Sequence, residues 1–570
     1  MAGMLCAGGR HHVIWTYLVL VLAAGGSAAA AASPVPAEAP AQAIPTMGDG
    51  GPLADTLKID SGLVSGATAG EKKDVRVYRG IPFSAPPAGP LRWKPPQPVR
   101  PWDGVRACTE FGPWCPQPAA IIGGPAGRQS EDCLYLNVWT AARRADEKRP
   151  VMVWIHGGGC TTGSGGTVFY DGEALARQGV VLVTINYRLG PLGFLAHPLL
   201  SKESHRRVSG NYGMMDQIEA LRWIQRNVAA FGGDPGCVTI FGESAGGASV
   251  CRLMVSPPAR GLFHRAIAES GTIYSRSRWL KETRGGVESA EALGERVAAR
   301  LGCDKEADPL AAMRAKTPQE VLKAADPMQG LFGSGTKWVW VVDGWLLPDD
   351  PATLFAAGKQ AAVPLVAGSN ADEGTIFLRQ LPVRHVAGYE LTVRSLFAPH
   401  GPEWLKLFPA ASDDEVPAAL DHLVTAVSFA APARAAARDM EKAGAKAYVY
   451  HFTRVPPVYR ASGLGAFHGG EIPYVFGHAG GRPGFEEKDR ELAKVMSGCW
   501  VRFAATGNPN GPGLPEWPAY TAAADSYLEF GDAIKIKSGL YKEACDLTDK
   551  TQAERMRGKA APEGELPMAE

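Results

Sequence analysis

The stretch Val238-Thr-Ile-Phe-Gly-Glu-Ser-Ala-Gly-Gly-Ala-Ser-Val-Cys-Arg-Leu-Met254 decides how this chain folds. It opens with apolar and β-branched residues that predict a buried strand, and residues 246–254 predict a helix. Between them, Gly242-Glu-Ser-Ala-Gly246 matches the pattern Gly-x-Ser-x-Gly. A glycine- and serine-rich turn could produce this pattern by chance, but a strand before it and a helix after it favour a tight turn that presents Ser244 as a nucleophile.

The residues around this stretch alternate between strand and helix patterns. Two apolar runs, residues 151–155 and 179–186, predict buried strands, and the spacing of apolar residues over 214–231 predicts a helix. Such alternation indicates an α/β fold with a large, mostly parallel central sheet flanked by helices. Two Ala-rich, charged stretches suit surface helices, residues 288–301 and 417–442.

The chain of 570 residues has no evident internal repeat, and no linker between Leu57 and Asp546 resembles a domain boundary. We predict three segments: a signal peptide over 1–32, a Pro/Ala-rich tether over 33–46, and one α/β domain over 47–570, with helical insertions. Lys and Arg number 59 against 58 Asp and Glu, so the net charge of +1 gives no electrostatic basis for binding nucleic acid or anionic membranes.

The first 32 residues have the layout of a secretory signal. Basic residues at 10–12 precede an apolar run over 13–24, and small residues follow to Ala32. The run is shorter than the roughly 20 residues that a bilayer-spanning helix needs, which disfavours the alternative of an uncleaved anchor. We therefore expect a secreted or periplasmic protein with no stable membrane insertion after cleavage.

Cysteine usage agrees with export but indicates no metal. Ten cysteines are present, and Cys6 leaves with the signal, so an odd number remains and at least one should be free or pair with another chain. No Cys-x-x-Cys pair or histidine cluster with metal-ligand spacing occurs, and we predict no metal site.

The glycines in His156-Gly-Gly-Gly159 directly follow the first predicted strand. Backbone N–H groups of glycine can approach a substrate oxygen closely because glycine has no Cβ. We predict that the amides of Gly158, Gly159 and Ala245 form an oxyanion hole, as acyl transfer requires. The alternative is an ordinary flexible loop.

Together these motifs resemble the type-B carboxylesterases, the carboxylesterase/lipase family that includes the cholinesterases. The resemblance spans most of the predicted mature chain and implies the α/β-hydrolase fold, with helical insertions forming the pocket. Its landmarks occur in order: Tyr78-Arg-Gly-Ile-Pro82, Leu91-Arg-Trp93, Ser130-Glu-Asp-Cys-Leu-Tyr-Leu-Asn137, His156-Gly-Gly-Gly159, Asn186-Tyr-Arg188, Gly242-Glu-Ser-Ala-Gly-Gly247, Asp372-Glu-Gly374, His468-Gly-Gly-Glu471 and Gly507-Asn-Pro-Asn510.

The resemblance supplies the partners of Ser244 that spacing alone leaves open. It implies Glu373 as the acid and His468 as the base, and the order Ser244, Glu373, His468 is that of an α/β-hydrolase. From the residues alone, His156 ranks nearly level with His468, and Asp372 competes with Glu373. The family pattern at Gly374 favours Glu373. No cofactor is implied.

The resemblance also implies structural pairs. Cys115 and Cys133 should form a disulfide. Two buried ion pairs should stabilise the fold, Arg92 with Glu131 and Arg188 with Asp216.

Three features depart from the family pattern. No Trp lies between Cys115 and Cys133, which argues against a choline ester because the cation would lack an aromatic face. Cys303 lacks the partner of a second family disulfide. Cys160 stands where relatives usually carry an aromatic residue; it is either a small buried residue or a widening of the mouth beside the oxyanion hole.

These residues predict hydrolysis of a small-molecule carboxylic ester through an acyl intermediate on Ser244. The alternative from another class is a catalytically silent recognition module of the same fold. Amidase, carbamate hydrolase and lipase activities also stay open. The pocket walls should come from insertions near 272–350 and 379–431, with Phe332, Trp338 and Trp340 as wall aromatics or simple core.

Overall fold

The computed structural model describes residues 53, 55–119, 127–274, 277–480 and 483–556. The predicted signal peptide and the whole of the predicted tether therefore lie outside the described residues. Sixteen strands occur in the described part: β1 Thr56–Ile59, β2 Gly62–Ser65, β3 Ala67–Ala69, β4 Val75–Pro82, β5 Val105–Ala107, β6 Tyr135–Thr140, β7 Arg149–Ile155, β8 Val181–Ile185, β9 Gly233–Glu243, β10 Arg265–Glu269, β11 Arg278–Trp279, β12 Val341–Val342, β13 Leu365–Asn370, β14 Ala447–Phe452, β15 Ser526–Phe530 and β16 Ile534–Ser538.

Eleven of these strands form one sheet in the order β16-β15-β14-β13-β10-β9-β7-β8-β6-β4-β3. The central pairs, from β15 through β8, are parallel, whereas β16 and the β6–β4–β3 edge pair antiparallel. The predicted mostly parallel α/β sheet is confirmed. Smaller sheets join β1, β2 and β5, and β11 with β12.

Both faces of the central sheet are covered. Along β7, the side chains of Val151, Val153 and Ile155 enter one core cluster, and those of Met152 and Trp154 enter another. Because successive side chains of a strand point to opposite faces, a strand buried on both faces reads as a continuous apolar run. This is why 151–155 shows no alternation in the sequence.

The helices of the described part cover the sheet and form the insertions: α1 Glu173–Arg177, α2 Gly190–Phe194, α3 Pro198–Glu203, α4 Tyr212–Asn227, α5 Ala245–Val255, α6 Ala290–Arg300, α7 Pro309–Ala315, α8 Pro318–Ala325, α9 Pro351–Ala356, α10 Val386–Leu396, α11 Gly401–Leu407, α12 Val416–Thr425, α13 Ala431–Lys442, α14 Pro457–Ala461, α15 Ile472–Val475, α16 Glu487–Thr506 and α17 Lys542–Met556. A π-helical turn, Ala426–Ala430, joins α12 to α13.

The prediction of a surface helix over 417–442 is wrong in its placement. The stretch is helical, but most residues of α13 are buried, among them Ala433, Ala436 and Met440. Alanines let this helix pack closely, and it packs against β13 and β14. An Ala-rich helix therefore marks close packing here rather than exposure.

The same stretch is long and apolar enough to cross a membrane by length and composition. Within Asp413–Lys442, a window of 18 residues reaches a mean hydropathy of 1.2, and 72% of that window is buried inside the protein. Burial against the sheet accounts for its apolar composition, because core helices of globular proteins show the same pattern.

Candidate active site

Ser244 lies at a strained turn between β9 and α5. Its backbone has φ 58° and ψ −120°, a conformation that residues other than glycine rarely adopt. A Cβ on Gly246 would lie 1.9 Å from the carbonyl oxygen of Ile155, and one on Gly242 would lie 2.4 Å from the same atom. The turn thus requires glycine at both positions, and its direct passage into α5 places the helix N-terminus at the serine.

The glycine loop after β7 runs beside this turn. A Cβ on Gly157 would come within 3.1 Å of the Cβ of Ser244, so the loop and the serine are in close contact. Gly158 and Gly159 have φ values of 97° and 64° and are exposed. Their N–H groups donate to no acceptor among the described residues.

Ala245 adds a third free amide to this region. It is the first residue of α5, so its N–H has no acceptor within the helix. Unsatisfied amides at a helix N-terminus attract negative charge. The three predicted oxyanion donors therefore retain the hydrogen-bonding capacity that the prediction needs.

His468 and Glu373 contact each other directly. The His468 Nδ1 atom lies 2.6 Å from the Glu373 Oε2 atom, and both side chains are buried. The other carboxylate oxygen of Glu373 accepts hydrogen bonds from the hydroxyl of Ser270 at 2.6 Å and from the amide of Asn370 at 2.7 Å. These two donors fix the carboxylate, which in turn fixes the imidazole.

The ends of neighbouring strands bring these residues together. Ser244, Ser270 and Glu373 follow the carboxyl ends of β9, β10 and β13, which are adjacent in the sheet. His468 lies on the longer connection after β14, the next strand. The carboxyl edge of a parallel sheet is where such sites gather. Ser270 was not foreseen, although its position directly after a strand could have indicated it.

The second nitrogen of His468 faces Glu243, the residue before the nucleophile. The Nε2 atom lies 3.0 Å from the Glu243 Oε1 atom, and the Ser244 hydroxyl forms no hydrogen bond with the described part of the chain. Burial alone would lower the pKa of His468, but the negative charges of Glu243 and Glu373 outweigh it and raise that pKa. Catalytic hydrogen bonds of unliganded enzymes often form only when substrate binds.

Two phenylalanine rings hold His468 from the sides. The ring centroids of Phe377 and Phe429 lie 5.0 Å and 4.9 Å from that of the imidazole. Both belong to a cluster of insertion side chains. The insertions therefore contact the predicted base directly.

The competing residues have other contacts. Asp372 accepts a hydrogen bond from the amide of Ala466 at 2.6 Å and so braces the loop that carries His468. His156 stacks on Tyr187 at 4.5 Å, its Nδ1 atom lies 2.9 Å from the carbonyl of Gly157, and burial lowers its pKa to about 4. Both side chains therefore support loops: His156 as a neutral ring, and Asp372 as a carboxylate that accepts a backbone hydrogen bond.

Asp372 also lies near Asp421 and His422, whose ligand-type atoms fall within 4.8 Å of one another. Asp421 accepts a hydrogen bond from the amide of Gly374 at 2.6 Å, and burial, with the charge of Asp372, raises its pKa to about 7. The Asp421 carboxylate thus holds the backbone after Glu373, and the Asp372 carboxylate holds the loop before His468.

More carboxyl groups lie buried beneath the site. Burial raises the pKa of Glu243 to about 7 and that of Glu269 to about 8, and it raises that of Glu471 well above its usual range. Trp500 donates to Glu269 at 2.6 Å, and the Asn370 amide donates to Glu471. Burial thus favours the neutral form of Glu269 and Glu471, whereas the charge of His468 opposes the effect of burial on Glu243.

Of the structural pairs implied by the resemblance, the two ion pairs are formed and the disulfide is not. The ion pairs are confirmed: Arg92 contacts Glu131 at 2.6 Å, and Arg188 contacts Asp216 at 2.7 Å. Cys115 and Cys133, in contrast, are free buried thiols in the structure, so the predicted disulfide is not formed. The two thiols interact, which raises the pKa of Cys133, so their side chains lie where oxidation could join them.

The residues proposed for the pocket mouth and walls are mostly core. Cys160 is fully buried, and burial raises its pKa to about 12, so it is a small packed thiol as in the simpler interpretation. Trp338 is buried and donates to the carbonyl of Ala325, and Trp340 is 6% exposed. Phe332 is half-buried in the insertion cluster and stays a wall residue by prediction.

A buried nucleophile turn, free amides beside it and a histidine–carboxylate pair on an α/β sheet define an α/β-hydrolase. The profile of the carboxylesterase family matches residues 54–396 and 403–548. The chain is 38% identical over 499 residues to the fumonisin B1 esterase of Sphingopyxis macrogoltabida, covering 85% of this chain and 89% of that protein. It is 36% identical over 567 residues to liver carboxylesterase 1 of Oryctolagus cuniculus, covering 90% and 96%.

A solved structure, titled PNB esterase, is similar with a TM-score of 0.73 at 34% identity, covering 87% of this chain and 99% of that one. The chain therefore belongs to the carboxylesterase family. It is a carboxylic ester hydrolase that acts on small-molecule esters.

Proposed function

We propose that this enzyme works through an acyl intermediate on Ser244, with His468 as general base and acid and Glu373 as its orienting carboxylate. The observation that carries the proposal is the 2.6 Å contact between His468 and Glu373. It joins two residues that are 95 positions apart in the sequence, next to the strained serine.

In the first half-reaction the Ser244 Oγ atom attacks the ester carbonyl carbon, and its proton passes to the His468 Nε2 atom. The carbonyl oxygen becomes an oxyanion, which accepts hydrogen bonds from the amides of Gly158, Gly159 and Ala245. The C–O bond to the alcohol then breaks, and His468 returns the proton to the leaving oxygen.

In the second half-reaction water attacks the acyl carbon while His468 takes its proton. Collapse of the second oxyanion breaks the bond to Ser244, and the serine regains its proton. Glu373 stays ionised throughout and stabilises the imidazolium that forms twice.

The experiment that tests this proposal is Ser244→Ala. Hydrolysis of para-nitrophenyl butyrate should fall at least ~10³-fold, and an organophosphate should label the wild-type enzyme on Ser244 but not the variant. Ser462→Ala, which removes an exposed serine, is the matched control and should keep both properties. Undiminished turnover in the Ser244 variant would refute the proposal.

We also propose that the protein is exported, to the periplasm or the medium, and that it acts there without nucleic acid or an inserted membrane segment. Support comes from the signal-like layout of residues 1–32 and from the net charge of +1. Mass spectrometry of the mature protein should find its N-terminus near residue 33. An intact Met1 on the exported protein would contradict signal cleavage.

A further inference from the structure

Gln117 joins the segment between Cys115 and Cys133 to the glycine loop. Its side chain is buried, and both polar atoms of its amide contact one residue, Gly163. The Oε1 atom accepts a hydrogen bond from the Gly163 amide at 2.7 Å, and the Nε2 atom donates to the Gly163 carbonyl at 2.9 Å. A side chain that holds both backbone groups of a residue fixes the position and the orientation of that residue.

The Gln117 side chain is itself held in place. Its Nε2 atom also donates to the carbonyl of Cys115 at 2.9 Å, and its backbone amide donates to the Gln129 side chain at 3.0 Å. Gln129 lies on the arm of the segment that returns toward Cys133. These bonds fix the rotamer of Gln117, so that it meets Gly163 in one geometry.

Gly163 packs against the peptide unit that carries the first predicted oxyanion donor. A Cβ on Gly163 would lie 2.8 Å from the carbonyl oxygen of Gly157 and 2.4 Å from the His156 Nδ1 atom. That nitrogen lies 2.9 Å from the same carbonyl oxygen. In a trans peptide the carbonyl and the N–H group point in opposite directions. Holding the Gly157 carbonyl here therefore directs the Gly158 N–H group to the other side.

The next peptide unit is fixed in the same way. The carbonyl of Gly158 accepts hydrogen bonds from the amides of residues 161 and 162, both at 3.0 Å. The Gly159 N–H group belongs to this peptide and points away from that turn. Gly163 directly follows the turn in the sequence. Gln117 thus holds the end of the turn that directs two predicted oxyanion donors.

We propose that Gln117 is a positioning residue for ester hydrolysis: by fixing Gly163, it keeps the amides of Gly158 and Gly159 directed at the oxyanion. This inference rests on the proposed function at Ser244, because the oxyanion forms there. Loss of a whole oxyanion donor lowers kcat about 10²- to 10³-fold. Removal of the Gln117 amide leaves both donors present but less well placed, so we expect a loss of about tenfold.

The test is Gln117→Met, which keeps the length of the side chain and removes both bonds to Gly163. On para-nitrophenyl butyrate, the full-length mature variant should show a kcat about tenfold lower with KM unchanged, because the oxyanion is absent from the ground state. Labelling of Ser244 by an organophosphate should reach the same final extent as in the wild type.

A butyl trifluoromethyl ketone separates positioning from a general loss of structure. The Ser244 Oγ atom adds to its carbonyl carbon, the serine proton passes to His468, and the ketone oxygen becomes an oxyanion. The corresponding trifluoromethyl alcohol has a similar shape but no carbonyl to attack. In Gln117→Met the Ki of the ketone should rise about tenfold, whereas the Ki of the alcohol should not change.

Gln360→Met is the matched control. Gln360 is buried to the same degree as Gln117, at 6% against 5% exposure, and it donates to the carbonyl of Asp439 in α13 at 3.0 Å. Its replacement should leave kcat and both Ki values at the wild-type level. The Tm of the two variants shows how much stability each replacement removes.

Gln129→Met gives the same comparison should Gln117→Met fail to fold, because Gln129 is exposed and holds the Gln117 backbone. The loss of this one bond should raise the Ki of the ketone about threefold and leave that of the alcohol unchanged.

An unchanged Ki for the ketone in the folded variant, or equal rises for ketone and alcohol, would overturn the inference, while wild-type labelling of Ser244 would keep the proposed function. A wild-type enzyme that is not labelled on Ser244, and that binds the ketone no more tightly than the alcohol, would overturn both.

Discussion

The nucleophile turn and the histidine–carboxylate pair are built in opposite ways. The turn is made of backbone: its glycines are required because a Cβ would meet the carbonyl of Ile155, and its predicted donors are amides. The pair is made of side chains, Glu373 and His468, on separate loops. A site made of backbone can be recognised in the sequence, because its geometry requires glycines at fixed positions. A site made of side chains cannot be recognised in the same way, because Glu and His occur throughout the chain.

The side-chain pair should be the more sensitive to a subtle change. In Glu373→Gln, Ser270 and Asn370 would still hold the carbonyl oxygen, so the amide NH₂ group would face the His468 Nδ1 atom. The ring would then carry its proton on Nε2 and could not accept the proton of Ser244. We expect kcat to fall about 10³- to 10⁴-fold, measured on a neutral ester with the Tm as a check on folding.

The matched control is Asp372→Asn, because Asp372 is the neighbouring acid with a bracing role. Its kcat should fall by much less than that of Glu373→Gln. If the Asp372 variant loses more activity than the Glu373 variant, the assignment of the acid is wrong.

The role of the backbone in the glycine loop can be tested by replacing its glycines. In Gly158→Ala the Cβ would lie 2.1 Å from the carbonyl oxygen of Thr162, so the loop must move and the oxyanion donors move with it. We expect kcat to fall about 10²- to 10³-fold, the range for loss of an oxyanion donor.

Gly159→Ala is the informative partner, since nothing lies within 4 Å of the added Cβ. It carries only the strain of its positive φ and should lose less activity. Steady-state kinetics on one ester measures kcat for both variants. Equal losses of kcat would show that the steric contact with Thr162 does not cause the loss in Gly158→Ala.

The smallest expected effect is a shift in the pH dependence of activity when Glu243 is replaced. Glu243 connects the turn to the pair, since it precedes Ser244 and contacts His468. His468 must be neutral to accept a proton, so activity falls as the pH falls through its pKa. Glu243→Gln removes a negative charge that raises this pKa. The acid limb of kcat/KM should therefore move to lower pH, by about one unit.

Glu471→Gln is the control for this shift. Burial raises the pKa of Glu471 well above its usual range, and Glu471 is not among the charges that raise the pKa of His468. The acid limb should stay in place in this variant. An unmoved limb in Glu243→Gln would show that the 3.0 Å contact does not persist in solution.

Much of the fold could be predicted, because the patterns that indicate its strands and helices lie within short stretches of the sequence. Strands β7 and β8 follow from apolar runs, and β9 with α5 from the pattern around Ser244, because both faces of these strands are buried. The placement of α13 could not be predicted, since alanine suits both an exposed helix and a closely packed one. The antiparallel β6–β4–β3 edge was also not foreseen.

The sequence by itself indicated the nucleophile turn and the glycine loop, because these depend on backbone geometry that only particular residues allow. The order of the predicted triad came from the resemblance to the carboxylesterases. Only the tertiary structure decided that Glu373 rather than Asp372 faces His468, and that Glu243 approaches its other nitrogen. Those relations depend on distances between segments that the sheet brings together. No spacing along a chain encodes such distances.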